Sequence, residues 1–277
     1  MSLAYARFRR QMAALTGIAL GADRQYLAES RLAPVLRAHN VSDLLELTRV
    51  IEGRENETLV QEVIDAMTTN ETSFFRDRAP FDEFRERVLP ELMAARAHER
   101  RLRIWCAAAS TGQEVYSLAM TLDHEARALR GWTVEILGTD ISSAAIEVAR
   151  KGVYSQFEVQ RGLSTSHLLR YFHRHEENWR VNEHLRAKVA FGEFNLLSDP
   201  SGLGAFDAIF CRNVLMYFDQ DVKRDVLSRL SGLLAPDGFL FVGSAETVGD
   251  AAPMFVPGSD DSIWRLRARP RPKLALA

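Results

Sequence analysis

Several polar side chains follow apolar runs whose length suits buried β-strands, and their types indicate a nucleoside site. Asp140 ends one such run, where an acidic residue can accept hydrogen bonds from two ribose hydroxyls. The alternative, that Asp140 caps the following helix, explains an aspartate there equally well. Glu114 follows small residues at 107–112, which let a ligand approach the backbone, although a tight strand-to-helix turn also explains them.

A third apolar run, residues 206–210, leads into Arg212 and Asn213. Burying Arg212 unpaired would be costly, so we expect a carboxylate or a ligand beside it. Asn195 stands at another strand end. The sequence contains neither a G-x-G-x-x-G loop nor a phosphate-binding loop, so a nucleoside ligand without a pyrophosphate is favoured.

A polar segment at residues 68–77 (TTNETSFFRD) separates the beginning of the chain from these strands. As local structure, it is a capped turn in which Phe74 and Phe75 pack. It is also rich in hydrogen-bond donors and lies at the expected domain junction, where ligand clefts often form. The segment is therefore a second candidate for ligand binding.

The spacing of apolar residues predicts two regions of different secondary structure. Residues 1–75 show helical periodicity only, for example Phe8, Met12 and Leu15 at steps of four and three. From residue 101 onward, apolar runs suited to strands alternate with helical stretches. This alternation predicts an α/β fold with a doubly wound parallel sheet covered by helices on both faces.

One stretch, residues 171–194, breaks the alternation. It contains two β-like runs, 179–181 and 188–191, which we expect to pair as a small antiparallel hairpin inserted into the parallel domain. The predicted organisation is a helical domain at 1–75, an α/β domain at 76–267 and a disordered tail, rich in Arg and Pro, at 268–277.

The composition is that of an ordinary globular protein, with 47% hydrophobic and 26% charged residues and a formal net charge of −2. This charge does not favour nucleic acid as a partner. Two cysteines, no signal-peptide pattern and no apolar stretch near 20 residues predict a cytoplasmic protein without membrane insertion. No second-shell carboxylate pattern accompanies His173, His175 and His184, so we interpret them as surface histidines of a hairpin and expect no metal.

Taken together, the motifs resemble those of the CheR family of chemotaxis receptor methyltransferases. The resemblance spans nearly the whole chain, including YLAESRL at 26–32. It implies a small all-α N-terminal domain, then a Rossmann-like S-adenosylmethionine-dependent methyltransferase domain with an inserted small antiparallel β-subdomain. The other matching motifs are TTNETSFFRD (68–77), AAASTGQE (107–114), GTDIS (138–142), NLL (195–197) and FDAIFCRNVLMYF (206–218).

The resemblance also implies the cofactor, S-adenosylmethionine (SAM), with S-adenosylhomocysteine as product and no metal. Acidic side chains suit the hydroxyl and ammonium groups of this cofactor, and arginines suit its carboxylate. The cofactor contacts that carry over are Asn70, Thr72, Arg76, Glu114, Asp140, Asn195, Leu196, Arg212 and Asn213.

The implied acceptors are glutamates on the cytoplasmic helices of methyl-accepting chemoreceptors, modified for sensory adaptation at membrane-bound receptor arrays. Glutamate has an ordinary pKa of about 4.3, so it is ionised at neutral pH and needs no general base. We expect Arg76 and Tyr217 to orient the acceptor carboxylate or to line its entry. Arg24 and Arg31, seven residues apart on nearly one helix face, are expected to dock on acidic receptor helices.

Two other functions stay open on the sequence alone. A nucleic-acid methyltransferase is disfavoured because the strand end reads CRNV rather than an Asn/Asp-Pro-Pro-aromatic motif. A non-catalytic SAM-binding signalling module would keep the same fold and polar strand ends without transferring the methyl group. A labelled-methyl assay distinguishes these functions from receptor methylation.

Overall fold

The computed structural model describes residues 2–53, 56–258 and 262–267, so the predicted tail at 268–277 lies outside the described residues. The chain begins with four helices: α1 (Leu3–Thr16), α2 (Gln25–Ala38), α3 (Leu44–Gly53) and α4 (Glu57–Met67). Their apolar residues recur at helical spacing and bury a core of their own, in which Phe8, Leu32 and Val63 are almost fully enclosed.

A helical connection leads from this bundle to the sheet. It consists of α5 (Ala79–Glu83), a π-helical stretch at Phe84–Val88 and α6 (Leu89–Ala95). A π-helical segment therefore separates the two α-helices of this connection. Phe81, Phe84 and Val88 face inward and pack on the sheet.

A seven-stranded sheet forms the centre of the second region, in the order β6-β2-β1-β7-β8-β10-β9. The first five of these strands are parallel, and the last two are antiparallel additions. The strands are β1 (Arg101–Ala107), β2 (Thr133–Asp140), β6 (Val189–Glu193), β7 (Phe206–Cys211), β8 (Leu234–Phe241), β9 (Phe255–Pro257) and β10 (Ile263–Leu266).

Both faces of the sheet are buried, as the predicted doubly wound fold requires. Along β1, Ile104 and Cys106 belong to one apolar cluster, while Trp105 and Ala107 belong to the other, which is the two-residue period of a strand. The larger helices of this region are α7 (Gln113–His124), α8 (Ser143–Lys151) and α12 (Gln220–Leu233). Since β1 pairs with β2 on one side and β7 on the other, the strand order reverses between β1 and β7.

A small antiparallel sheet is inserted, as predicted, but its strands are not those expected. It contains β3 (Val153–Tyr154), β5 (Asn178–Val181) and β4 (Phe172–His175), in that order. The run at 188–191 does not pair with 179–181; it lies in β6, which pairs in parallel with β2 at the edge of the main sheet. The predicted hairpin at 171–194 is therefore wrong in its second strand.

Short helices surround the small sheet: α9 (Gln156–Gln160), α10 (Thr165–Tyr171) and α11 (Glu183–Arg186). The reassignment of β6 has a simple physical reason. The helix α11 turns the chain back between β5 and β6, so β6 reaches the open edge of β2 and satisfies the backbone groups there. Within the described ranges, no helix is long and apolar enough to cross a membrane.

Candidate functional site

The turn after β1 brings backbone N–H groups to the carboxyl end of the sheet. Ala108 and Ser110 have left-handed φ angles of 63° and 51°, and Gly112 has a φ of 94°. A Cβ on Gly112 would lie 2.9 Å from the Cβ of Ala149, so the turn packs too closely on α8 for a side chain at this position. The small residues seen in the sequence therefore serve a tight turn, and this turn borders a cavity.

Asp140 lies beside that turn, at the end of β2. Its two carboxylate oxygens accept hydrogen bonds from the backbone N–H groups of Ser110 (2.8 Å) and Ser142 (2.9 Å). The helix cap of α8 is Ser142, which accepts from the N–H of Ala145, so Asp140 does not occupy the cap position. Burial raises the pKa of Asp140, while its backbone hydrogen bonds act in the opposite direction. Asp140 retains acceptor lone pairs for a ligand.

Arg212, just after β7, is held by carboxylates, as its expected burial required. One terminal nitrogen donates to Glu114 (2.8 Å), and the other donates to Asp77 (2.9 Å) and to the backbone oxygen of Arg76 (3.0 Å). Its guanidinium also lies 5.6 Å from the ring centre of Phe81. Burial raises the pKa of Glu114, although Arg212 counteracts this.

The Nε of Arg212 has no hydrogen-bond partner, although the side chain is only 1% exposed. Four buried side-chain nitrogen or oxygen atoms lack a partner in the described residues, and this is the one that belongs to a residue lining the cavity. An unsatisfied buried donor costs free energy, and because Arg212 lines the cleft, its Nε is a candidate contact for a ligand acceptor.

The segment before α5 is strained and held from both sides. Phe75, Asp77 and Arg78 all have left-handed φ angles, between 41° and 67°. The N–H of Phe75 donates to the buried hydroxyl of Ser117 (2.9 Å), and Arg212 binds the next two residues. This arrangement places Arg76 on the cavity wall, where one terminal nitrogen donates to the backbone oxygen of Glu71 (2.9 Å).

The opposite wall combines three distant parts of the chain. The side-chain amide of Asn195 donates to the backbone oxygen of Leu15 in α1 (2.7 Å) and accepts from the N–H of Leu197 (2.9 Å). The backbone oxygen of Tyr217 accepts from the N–H of Ala19, between α1 and α2 (2.8 Å). The helical region therefore closes directly over the strand ends.

These walls enclose one cleft of about 990 Å³, part of which is open to solvent. Arg24 and Arg31 are not among its lining residues. All ten residues predicted to contact the cofactor or the acceptor line the cleft: Asn70, Thr72, Arg76, Glu114, Asp140, Asn195, Leu196, Arg212, Asn213 and Tyr217.

The two arginines outside the cleft differ from each other. Arg24 precedes α2 and is exposed. Arg31 is half-buried, and its guanidinium donates to the backbone oxygens of Met67 (3.2 Å) and Thr68 (3.4 Å), at the end of α4. Receptor docking by either residue stays a prediction, and the present contacts of Arg31 are internal.

Sequence reasoning missed two contributions to the site. Thr16 and Ile18 bring the helical region into the cleft, and no local pattern in α1 signals this. Glu246, after β8, is buried and accepts hydrogen bonds from loop backbone next to Asn213. An acidic residue in the run GSAET was the available signal, but only the fold places it beside the cleft. Among the described residues, no group of three His, Cys, Asp or Glu side chains is arranged to hold a metal.

Two protein-family models match this chain. The CheR methyltransferase all-alpha domain matches residues 3–68, and the CheR methyltransferase SAM binding domain matches residues 70–259. The chain belongs to the CheR methyltransferase family. The resemblance inferred from the motifs is thereby confirmed, together with the predicted all-α domain followed by a Rossmann-like, SAM-dependent methyltransferase domain.

Relatives in the family cover most of the chain. Chemotaxis protein methyltransferase 1 of Pseudomonas aeruginosa is 42% identical over 247 residues, which are 88% of this chain and 89% of that protein. Chemotaxis protein methyltransferase Cher2 of Pseudomonas putida is 39% identical over 251 residues, 89% and 91% of the two chains. The chemotaxis protein methyltransferase of Escherichia coli is 37% identical over 257 residues, 89% and 86%.

The donor set of the cleft fits SAM. Asp140 is buried and the Glu114 side chain is 13% exposed; both are acceptors, which suit the ammonium and hydroxyl groups of the cofactor. The unpartnered Nε of Arg212 suits a carboxylate oxygen. The cleft therefore offers a match for each charged end of an amino acid and for a ribose.

Proposed function

We propose that this chain transfers a methyl group from SAM to glutamate side chains on the cytoplasmic helices of chemoreceptors. The products are S-adenosylhomocysteine and glutamate methyl esters. One observation carries this proposal: residues from five separate motifs line a single cleft that contains a buried, unpartnered arginine donor. The relatives named above as chemotaxis protein methyltransferases support the choice of receptor.

In the proposed cofactor site, residues that follow different strands bind different groups of SAM. Asp140 accepts from ribose hydroxyls, Glu114 accepts from the ammonium group, and Arg212 donates to the carboxylate. Bound there, SAM supplies an activated methyl group, since its sulfonium sulfur leaves as a neutral thioether. The remaining proposed contacts are Asn70, Thr72, Arg76, Asn195, Leu196 and Asn213, which enclose the cofactor and exclude water.

The acceptor side of the cleft needs orientation rather than a base. A glutamate with an ordinary pKa of about 4.3 is already ionised at neutral pH, so its oxygen is nucleophilic as it arrives. We assign the orientation of this carboxylate to Arg76 and Tyr217. Since only one hydrogen bond of the Arg76 side chain is made within the described residues, its other donors are free for an acceptor.

The proposed division of labour follows the two regions of the fold. Residues 1–75 would dock on receptor helices, with Arg24 exposed at the start of α2. Residues 76–267 would carry the transfer reaction. Docking brings the enzyme from the cytoplasm to membrane-bound receptor arrays, where its substrate is concentrated.

The decisive experiment measures transfer of labelled methyl from SAM to membranes that contain receptors, followed by alkaline hydrolysis. We expect base-labile label on the receptor, because a carboxyl methyl ester hydrolyses under these conditions. Label on nucleic acid, or cofactor binding without any labelled receptor, would overturn the proposal and favour one of the two alternative functions.

A matched pair of variants tests the orienting residue. Arg76→Ala should lower the rate of receptor methylation on the order of 100-fold, because the acceptor carboxylate loses its positioning donor. Arg78→Ala removes an exposed arginine of the same strained segment that lies outside the cleft, and its rate should stay near wild type. An Arg76→Ala enzyme with normal cofactor affinity and normal turnover would remove both roles assigned to Arg76.

A further inference from the structure

Glu246 is a buried carboxylate that holds the loop after β7 in place. One of its oxygens accepts from the backbone N–H groups of Asn213 and Gly243, both at 2.7 Å. The other accepts from the N–H of Met216 at 3.2 Å. Glu246 is 6% exposed, and no cation among the described residues pairs with it within 4 Å.

Asn213 and Gly243 lie in the loops after β7 and β8, and Met216 lies in the 3-10 turn Leu215–Tyr217. A buried N–H requires a partner, and Glu246 supplies one to Asn213, whose φ is left-handed at 59°. A carboxylate that accepts several backbone N–H groups is a strong local constraint. Glu246 therefore fixes the path of the chain between Arg212 and Tyr217.

The loops after β7 and β8 approach so closely at Gly243 that a side chain there would displace its neighbours. A Cβ there would lie 2.7 Å from the side-chain nitrogen of Asn213 and 2.7 Å from Oε2 of Glu246. Arg212, by contrast, is held by its own partners, Glu114 and Asp77. Loss of Glu246 should therefore release the residues after Arg212 and leave Arg212 itself in place.

We infer that Glu246 is a positioning residue for methyl transfer, which acts through Asn213 and Tyr217 without touching cofactor or acceptor. This inference rests on the proposed function, because Asn213 and Tyr217 are its assigned cofactor and acceptor contacts. The charge of Glu246 also acts on Glu114. Burial is the largest cause that raises the pKa of Glu114, and Glu246 raises it further.

The test uses the full chain and the variants Glu246→Gln, Asn213→Ala and their combination. Glu246→Gln replaces one acceptor oxygen with an NH2 group, which cannot accept a hydrogen bond from the backbone N–H it faces. We expect binding of S-adenosylhomocysteine, measured by calorimetry, to weaken about tenfold, and kcat for receptor methylation to fall as well. The double variant should bind about as weakly as the weaker-binding single variant, because Glu246→Gln misplaces the Asn213 side chain that Asn213→Ala removes, so both act on one cofactor contact.

Asp207→Asn is the matched control, since Asp207 is a similarly buried carboxylate that accepts a backbone N–H at the opposite end of β7. It should lower the unfolding temperature and leave binding unchanged. If Glu246→Gln does not fold, Gly243→Ala, in the same loop as Glu246, strains the contact between Glu246 and Asn213 and should weaken binding similarly.

Wild-type affinity and kcat in Glu246→Gln would overturn the inference, as would equal weakening in Asp207→Asn or a roughly 100-fold, additive loss in the double variant. The binding measurement needs no receptor. A wild-type enzyme that binds S-adenosylhomocysteine but never labels a receptor would therefore overturn the proposed function, while the binding data would still decide the role of Glu246.

Discussion

Two clusters of arginine and carboxylate side chains lie at opposite ends of β7. At the amino end, Nε of Arg96 donates to Asp207 (2.9 Å), and its terminal nitrogens donate to Asp237 (2.7 and 2.5 Å). At the carboxyl end, Arg212 is bound through its terminal nitrogens alone, and its Nε has no partner. The first cluster uses every nitrogen of its guanidinium, and the second does not.

This difference separates a structural ion pair from a binding site. Arg96 is 19% exposed and its donors are satisfied, so it stabilises the fold without need of a ligand. Arg212 is 1% exposed and still offers a donor, which costs free energy in the isolated protein. The charge of Arg212 is paired, but its Nε donor is not, and at the cleft a ligand acceptor can complete it.

The largest loss of stability is expected when Arg212 is replaced. Arg212→Met leaves Glu114 buried without its cation, so the free energy of unfolding should fall by about 3–5 kcal/mol. Saturating S-adenosylhomocysteine should no longer stabilise this variant, whereas it should add about 3 kcal/mol to the wild type at 100 times the dissociation constant. Urea unfolding with and without the ligand measures both quantities.

Arg96→Met is the counterpart of that variant at the other end of β7. Its cluster is partly exposed, so we expect a smaller loss, about 1–2 kcal/mol, with the full stabilisation by ligand retained. The comparison fails if Arg212→Met keeps its response to ligand or if Arg96→Met loses it.

The two clusters should also respond to pH with opposite signs. Burial raises the pKa of Glu114, so its ionised form is disfavoured in the folded state. Relative to Glu114→Gln, the stability of the wild type without ligand should fall as the pH rises from the ordinary carboxyl pKa, about 4, through the raised one. Measurements of unfolding free energy between pH 4 and 8 follow this slope.

Asp237 has the reverse shift, because hydrogen bonds from Arg96 lower its pKa. Its stabilisation is present above the ordinary pKa and is lost as the pH falls through the lowered one. Relative to Asp237→Asn, wild-type stability should therefore rise with pH over the acidic range. Two slopes of the same sign would show that the Glu114 site is not governed by burial.

The need of Arg212 for a partner could be predicted from the sequence, because it follows from the residues next to it in the chain. A charged residue directly after an apolar strand must have a partner, and Arg212 has Glu114 and Asp77. The position of Asp140 at a strand end could also be predicted from the sequence, although only the structure shows that Ser142 is the N-cap of α8. These residues stand at strand ends, where parallel strands necessarily converge.

Other parts of the site depend on contacts that no local pattern records. The run at 188–191 has the composition of either a hairpin strand or a parallel edge strand, and its pairing with β2 is decided by tertiary structure. Glu246 meets Asn213 across 33 residues of sequence, and Leu15 meets Asn195 across 180. Such partners emerge only when the chain is folded.

The smallest expected effect extends the comparison of arginines to α2. Arg31 donates to the backbone carbonyls at the end of α4, where the helix dipole favours a positive charge. Arg31→Ala should therefore lower the unfolding free energy by about 1 kcal/mol. Within the described ranges, the Arg24 guanidinium has no hydrogen bond or ion pair, so Arg24→Ala should leave stability unchanged.

The same pair distinguishes docking from folding at the receptor. Arg24→Ala should raise KM for receptor two- to threefold at low salt, with kcat unchanged and the difference lost at high salt, because exposed charges are screened. For Arg31→Ala, we expect little change in the salt dependence of KM, since the Arg31 guanidinium binds the end of α4 in the wild type. A salt-dependent KM in Arg31→Ala alone would mean that docking releases Arg31 from α4 and uses it on the receptor.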